Sequence, residues 1–429
     1  MLNKLKSNKE FMKYFFNTSW LFFDKIFKMG IGFFLIIYLT RYLGPENFGI
    51  LSYAQSVVSI FMAFASLGIS QVVIRDLVKF PKKRDILLGT WFKMSLFSSS
   101  FSILLLFILE KFILDDSNFY IVSIISFTII FQNFNIIIDS YFQSQVKSKS
   151  TVLVSNMGFF LSAIVKFYFI YFEYDLIYFA YALIFDVMIV SIGFLYIYRV
   201  SDLSIFHWSF DKKTFKEYIE VSLPLVLVSV SAFIYTRTDQ IMLKYMVNDE
   251  AVGNYAAAIR VSELFYFIPG IIVASLFPKI VELKKEDEKR YLKLLEKMYR
   301  SVIWISIPIA IFLYSFSNEI VNILYGSQYI LASKILEILS WTIIFTSIGA
   351  VFVKILYIER YEKKYLYKSI FGVGINILLN YFLIEAFGVT GAAMGTIITM
   401  FSINYIYDLF DKDLRQFYYL KLICFIPKI

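Results

Sequence analysis

The chain has 429 residues, 59% of them hydrophobic, with a formal net charge of +9 and a mean hydropathy of +0.68. That composition excludes an ordinary soluble globule. Apolar runs of membrane-spanning length recur along the sequence, so it reads as a polytopic helical membrane protein. One cysteine, Cys424, leaves no internal disulfide or cysteine metal cluster, and the single histidine, His207 beside Trp208 in a loop, leaves no Ser/His/Asp set. No cofactor is expected, and no G-x-x-x-x-G-K-[ST] occurs, so ATP hydrolysis does not power the chain.

Taken in order, the apolar runs predict twelve spans near 14–39, 48–69, 86–109, 118–141, 151–172, 176–198, 219–245, 253–277, 299–317, 333–356, 367–387 and 391–410. No cleavable signal is expected, because the apolar run after the basic start Met1–Lys13 is too long for a signal core. The loops alternate in charge. One side carries Lys4, Lys6, Lys9 and Lys13, then Arg75 to Arg84, Lys147 and Lys149, Arg199 to Lys216, Lys279 to Arg300, Arg360 to Lys368, and the tail lysines. The opposite loops carry only Arg41 and Lys111. This asymmetry places both termini in the cytoplasm. Because the basic charge is spread over separate cytoplasmic segments, it is a topology signal and not a nucleic-acid surface.

The outer loops are short, and the longest, near Asn318–Ala332, has room for a small helix. Between spans eight and nine, Glu282–Lys297 reads as a charged amphipathic helix lying at the membrane surface. Pro224, Pro269 and Pro308 each remove a backbone hydrogen bond inside a span and are expected to kink it. An internal echo links Leu43–Gly49 to Val247–Gly253: Glu46 matches Glu250 and Gly49 matches Gly253, both at an offset of 204. Six spans separate the two turns, so the repeats run in the same orientation, as in two parallel bundles related by an axis along the membrane normal. The expected fold is therefore all-α and polytopic, with about twelve transmembrane helices in two pseudo-symmetric six-helix lobes around a central cavity. The lobes are 1–198 and 219–410, joined by a cytoplasmic linker at 199–218 and followed by a cytoplasmic tail at 411–429.

Charges inside the spans carry most of the functional information, because such residues face a bundle interior or a wet cavity. Asp24 and Lys28 are four apart on span one, and Arg260 and Glu263 three apart on span eight, spacings that allow pairing along one helix. Lys166 and Asp186 are placed to neutralise each other, Asp139 to reach the interface, and Lys93 to snorkel there. Arg237 and Asp239 sit two apart on span seven, roughly 200° around the helix, with no acidic partner for Arg237 three or four positions away. Both must meet other helices, water or a ligand. Cations such as Lys28, Arg237 and Arg260 suit a phosphate-bearing amphipathic anion. Carboxylates in the same space suit a coupling proton or sodium ion. Tyr38, Tyr53, Tyr235, Tyr255 and Tyr266 are candidates to line it and stack on sugars, or to pack.

Three stretches carry a resemblance. Arg41-Tyr-Leu-Gly-Pro-Glu-Asn-Phe-Gly-Ile-Leu-Ser-Tyr-Ala54, Tyr235-Thr-Arg-Thr-Asp-Gln-Ile-Met-Leu243 and Gly391-Ala-Ala-Met-Gly395 resemble the Wzx-type flippases of O-antigen and capsule export. These belong to the superfamily of the multidrug and toxin extruders and the lipid II flippase. The resemblance runs over essentially the whole chain, with Leu-Gly-Pro-Glu-x-Phe-Gly its most specific element. It implies a non-enzymatic transporter in the bacterial cell (inner) membrane. Its cargo would be an undecaprenyl-pyrophosphate-linked oligosaccharide, moved from the inner to the outer leaflet by alternating access and driven by H+ or Na+ antiport. A glycan polymerase of the same pathway is an implied partner. It also implies that Lys28, Arg237 and Arg260 face substrate and that Asp24, Asp239 and Glu263 are coupling candidates. Two alternatives differ in what they require. A multidrug antiporter on the same fold would be expected to have an acidic cavity, whereas Lys and Arg are at least as numerous here. A membrane glycan polymerase would be expected to carry a large outer loop, which this chain lacks.

Overall fold

The computed structural model describes the backbone of residues 2–113, 116–359 and 361–426. Among these, every regular element is helical. The side chains of Lys4, Lys6, Lys9, Lys13, Lys285, Arg360 and Lys428, read above for orientation, lie outside the described residues.

Among the described residues, ten helices are long and apolar enough to cross a membrane, and eleven if the pair Ser327–Leu339 and Thr342–Leu356, bent by 50°, is one span. The sequence had predicted twelve. With the bent pair taken as one span, the remaining difference is the first apolar stretch, Ser19–Lys79, whose 61 residues hold most of the first predicted span and all of the second in one run. At about 1.5 Å per residue it is far longer than the ~30 Å hydrocarbon core. Its break is Gly44, at φ 70° and ψ 172°, a conformation that favours glycine. Pro45 follows, where its fixed φ restarts a helix and its missing N–H costs nothing.

Contacts divide the chain into two compact units. The first comprises Met1–Tyr42 and Val57–Val230, the second Leu43–Ser56 and Ser231–Ile429. The contact boundary thus assigns the turn after the first span to the second unit.

The first unit is built from most of α1 (Leu2–Ala65), α2 (Ser70–Lys79), α3 (Arg84–Ile113), α4 (Asp116–Ser126), α5 (Thr128–Ser144), α6 (Ser148–Tyr171), α7 (Leu176–Val200) and the first part of α8 (Lys212–Met246). Its core gathers Ile69, Val73, Leu88, Trp91, Ile137, Ile138, Tyr198 and Tyr218. The segment between α7 and α8 is not a free loop. Trp208 packs against Phe92 and Phe134 and donates from Nε1 to the Tyr198 hydroxyl at 3.0 Å. His207 beside it is exposed.

The second unit adds α9 (Asp249–Glu263), α10 (Phe267–Glu286), α11 (Glu288–Ser315), α12 (Ser317–Tyr325), α13 (Ile330–Leu339), α14 (Thr342–Glu359), α15 (Glu362–Phe387), α16 (Val389–Phe401), α17 (Tyr407–Phe410) and α18 (Arg415–Ile423). α9 starts at Asn248, whose side chain accepts from the Ala251 N–H at 2.8 Å, with Asp249 and Glu250 in the first turn. The core runs through Tyr291, Leu295, Met298, Tyr299, Val302, Ile343, Ile348, Val351, Phe352 and Ile355.

Two expectations are corrected here. The charged stretch Glu282–Lys297 is not a separate surface helix. Its first half continues α10 and its second half begins α11, with a sharp break at Asp287, whose carboxylate caps Lys289 N and Arg290 N at 3.0 and 3.1 Å. The apolar stripe Tyr291, Leu295, Met298 is fully buried, which draws the segment into the bundle. Pro269 does not kink a continuous helix either. It lies in the first turn of α10, just after the 3-10 turn Leu264–Tyr266, where its missing N–H has no intrahelical role. Pro224 and Pro308 do lie inside α8 and α11.

Large apolar side chains that stand outward, among them Phe97, Phe112, Tyr171, Leu223 and Phe382, fit a hydrocarbon surrounding better than water.

Candidate functional site

Within the second unit, Asp239 is 1% exposed, between the buried Thr238 and Gln240 of α8. An isolated carboxylate there would be costly, and the chain surrounds it with neutral donors. Tyr255 of α9 donates from its hydroxyl to Oδ2 at 2.6 Å, and Thr396 of α16 donates to the same oxygen at 2.8 Å. Asn376 of α15 donates from Nδ2 to Oδ1 at 3.1 Å, and Asn380, one turn on, donates to Oδ1 as well. Asn376 and Asn380 share one face because they are four apart. Three helices therefore converge on one carboxylate, and no lysine or arginine pairs with it among the described residues.

A cavity of about 60 Å³ opens beside Asp239. Its walls include Tyr235, Glu263, Tyr266, Asn376, Thr396 and Thr399. One water needs roughly 10–15 Å³ of such space, and small-molecule pockets run to several hundred. The cavity therefore suits a small cation or a few waters and excludes a sugar. Its polar lining is oxygen-rich: two carboxylates, hydroxyls and amides, the donor set of a hard monovalent cation or a proton. Thr399 is 1% exposed and its hydroxyl makes no hydrogen bond. The arrangement is not a cluster of three or more His, Cys, Asp or Glu of the kind that holds a transition metal, and no such cluster occurs among the described residues.

Arg237, two residues before Asp239 and so roughly 200° around the helix, is half-buried and lies within the field of Glu263, Arg260, Tyr255 and Asp239. Arg260 and Glu263 pair loosely, Nη1 to Oε2 at 3.8 Å, each about a third exposed. Glu263 thus faces two ways, into the cavity and toward Arg260.

Of the six residues singled out in the sequence, the structure brings Arg237, Asp239, Arg260 and Glu263 together. Asp24 and Lys28 form a separate ion pair at 2.8 Å in the first unit, where Lys28 also donates to Ser155 Oγ at 2.6 Å. Lys166 and Asp186 pair at 2.5 Å, as their positions on consecutive helices suggested. Gln143 donates to Asp139 at 2.7 Å, and Lys93 lies 5.5 Å over the Phe210 ring. The tyrosines divide. Tyr235 and Tyr266 line the cavity and Tyr38 is 53% exposed, but Tyr53 and Tyr255 are 1% and 0% exposed and cannot stack on a sugar. Tyr53 instead meets the Tyr245 hydroxyl at 3.0 Å.

Sequence reasoning missed Asn376, Asn380, Thr396 and Thr399, because uncharged polar residues in a span carry little signal alone. The spacing of Asn376 and Asn380 was the readable clue. It also missed Glu110, 2% exposed and accepting from Ser123 Oγ at 3.2 Å. A second buried charge cluster joins Asp408 to Lys368 at 2.6 Å and to Lys421 at 2.5 Å, with the lysines 3% and 0% exposed.

A family profile described as polysaccharide biosynthesis protein matches residues 38–334. The probable low-salt glycan biosynthesis flippase Agl15 of Haloferax volcanii is 24% identical over 180 residues, 42% of this chain and 38% of that protein. The capsular polysaccharide biosynthesis protein CapF of Staphylococcus aureus is 22% identical over 393 residues, 90% of this chain and 96% of that protein. The chain thus spans well under half the length of the first relative and nearly all of the second. Among solved structures, an inward-facing multidrug resistance MATE family transporter superposes with a TM-score of 0.73 at 14% identity, covering 91% of this chain and 96% of that one. The lipid II flippase MurJ in an inward closed conformation superposes with a TM-score of 0.71 at 16% identity, covering 96% and 91%. The chain shares the two-lobe, multi-helix fold of these transporters.

Proposed function

Because the chain belongs to the polysaccharide biosynthesis protein family, we propose that it is a flippase for a lipid-linked oligosaccharide. The cargo is an O-antigen or capsule repeat unit on undecaprenyl pyrophosphate, moved from the cytoplasmic to the outer leaflet of the bacterial cell membrane. The names of Agl15 and CapF support the glycan assignment. The charge asymmetry of the loops supports an orientation with both termini in the cytoplasm. Transport proceeds by alternating access of the lobes 1–198 and 219–410 about the linker 199–218, with the tail 411–429 on the inner side. It is ion-coupled and makes no covalent bond to the cargo.

The observation that carries this reading is the division of labour at Arg237 and Asp239. Two residues apart on one helix, they point to different surroundings. Asp239 is sealed among neutral donors beside a cavity of ion size, and Arg237, roughly 200° around the helix, lies within the field of Glu263 and Arg260 as well as that of Asp239. The first arrangement suits H+ or Na+, and exchange of oxygen and nitrogen by rotation of the Asn376 or Asn380 amide would turn a donor into a ligand. The second suits a pyrophosphate, which a guanidinium grips through its planar fork. Lys28 is a further substrate-side cation and Asp24 a further coupling candidate, already paired with each other.

The test is transport in proteoliposomes of a fluorescent lipid-linked pyrophosphoryl oligosaccharide, with and without proton and sodium gradients. Gradient-dependent appearance at the far leaflet, with the gradient dependence lost in Asp239→Asn, is the expected result. The MATE-like superposition favours one other reading, a cation-coupled drug antiporter. Efflux of cationic dyes with no movement of the lipid-linked glycan would establish that reading instead.

A further inference from the structure

At one rim of the first unit, three aspartates are already engaged and five lysines are left over. The rim is built from two segments. One is the elbow that ends α2 and passes through the 3-10 turn Pro81–Lys83 into α3. The other leads from the 3-10 turn Ile205–His207 into the first turn of α8. Hydrogen bonds join them: Ser209 N donates to the Asp85 carbonyl at 3.1 Å, and Asp211 N donates to Thr90 Oγ1 at 3.0 Å. A Cβ on Gly89 would stand 2.5 Å from the Ser209 backbone, so the glycine is what lets the second segment seat on α3.

The aspartates of this rim have partners. Arg75 holds Asp76 at 2.9 Å, and Arg84 holds Asp85 through Nε and Nη2 at 2.8 and 2.9 Å. Asp211 accepts from the Thr214 N–H and hydroxyl, both at 2.7 Å. Lys79, Lys82, Lys83, Lys212 and Lys213 are all exposed, and none of the five forms an ion pair among the described residues. Glu217 and Glu220, on later turns of α8, are not paired with them either. Lys83 and Asp211 lie within each other's field, so the two groups of lysines adjoin as one surface.

These cations are mixed with apolar side chains that stand outward, Val78, Phe80 and Phe210. Lys79 and Lys83 place their ammonium groups 5.2 and 5.5 Å from the Phe80 ring centroid, and Lys93 sends its ammonium to 5.5 Å from that of Phe210. Lys93 belongs to a span, so its reach to Phe210 marks the level where hydrocarbon gives way to headgroups. Water disfavours the exposed rings, and hydrocarbon disfavours the ammonium groups. Anionic headgroups over acyl chains accommodate both.

We propose that this rim is a binding surface for anionic phospholipids of the leaflet it faces, with the lysines on the phosphates and Val78, Phe80 and Phe210 among the first acyl carbons. The ligand is an ordinary diacyl phospholipid and not the cargo, so the inference stands apart from the flippase reading. Loop cations of the second unit give the contrast. Lys279 pairs with Glu282 at 2.8 Å, Lys284 with Glu359 at 2.8 Å and Arg290 with Asp287 at 3.3 Å, so their charge is compensated within the chain.

The experiment titrates the full chain in detergent with dioleoyl phosphatidylglycerol or dioleoyl phosphatidylcholine, and follows the first lipid bound by native mass spectrometry. A lysine at an anionic membrane surface contributes roughly fivefold to binding, so the wild-type protein is expected to bind phosphatidylglycerol about fivefold more tightly or better. Lys82→Gln with Lys83→Gln, and Lys212→Gln with Lys213→Gln, should each weaken phosphatidylglycerol binding. The four together should bring the ratio of the two Kd values close to one. The phosphatidylcholine Kd and the melting temperature should stay at wild-type values, because all four side chains are exposed and unpaired. Lys279→Gln with Arg290→Gln removes as many charges as either pair and should leave the ratio unchanged. A wild-type ratio near one would overturn the proposal and leave the rim to an acidic protein partner. A preference that survives in the quadruple variant would overturn it too. So would an equal loss in the Lys279 and Arg290 control, which is what net charge alone would give. Loss in one lysine pair but not the other would overturn the joined surface.

Discussion

Gly49 and Gly253 meet backbone to backbone, and their contacts are reciprocal. A Cβ on Gly49 would overlap the carbonyl oxygen of Asp249, and a Cβ on Gly253 would overlap the carbonyl oxygen of Pro45. Residues 45 and 249, like 49 and 253, are separated by the offset of the internal echo in the sequence. Each repeat thus presents the same glycine to the same position of the other, the signature of a local two-fold contact. Small residues let two helices approach this closely in a membrane, where packing must replace the missing hydrophobic drive.

Alanine at either glycine should therefore be far more damaging than its size suggests. Neither clash is with a flexible side chain, so backbone must move. We expect Gly49→Ala and Gly253→Ala each to cost about 1–3 kcal/mol by overpacking. A thermal-shift series in detergent, with Gly374→Ala as the control, checks this. Gly374 has open space around its Cβ position.

Replacing either arginine near Glu263 should weaken pyrophosphate binding. A charge-assisted hydrogen bond contributes about 1.5–3 kcal/mol, so Arg237→Gln and Arg260→Gln should each raise the Kd of the fluorescent lipid-linked pyrophosphoryl oligosaccharide by roughly tenfold to a hundredfold. Lys166→Met in the first unit is the counter-example. Lys166 is engaged with Asp186, so its loss should lower stability and leave the Kd of the folded protein unchanged.

The Asp408 cluster gives a stability test with a built-in contrast. Asp408→Asn leaves two buried lysines without a counter-charge and should cost about 3–5 kcal/mol. Lys421→Met removes one of two cations competing for a single carboxylate and puts an apolar chain near Phe352 and Tyr405, so it should cost much less. Equal losses of melting temperature in the two variants would contradict the electrostatic account.

The same cluster sets a pH dependence. Burial pushes the Lys421 ammonium below its ordinary value of 10.5, against the pull of Asp408. In the window between the lowered value and 10.5, the unfolded chain binds a proton that the native chain does not. Stability contributed by Lys421 is therefore lost as pH falls through that window and regained as it rises. Melting temperature should climb with pH through this alkaline window, and Lys421→Met should flatten the climb.

Much of this was legible in the chain itself. The apolar runs and the charge alternation of the loops are local patterns that a bilayer enforces whatever the packing, and the Gly49/Gly253 echo could be read by aligning the two turns, though not the contact it makes. The pairing of Lys166 with Asp186 was also within reach, since consecutive helices are neighbours. Other features were not. The sequence could say that Asp239 needs partners from other helices. It could not say that these are Tyr255, Asn376, Asn380 and Thr396, because they are brought together over separations of 16 to 157 residues. Nor could it say that Lys421, in what reads as a cytoplasmic tail, is completely buried against Asp408. Composition and periodicity report which solvent a segment prefers, and the bilayer acts on each segment separately. Which polar groups satisfy one another is decided only when the helices pack, since a buried carboxylate takes whichever donors the tertiary structure brings within hydrogen-bond reach.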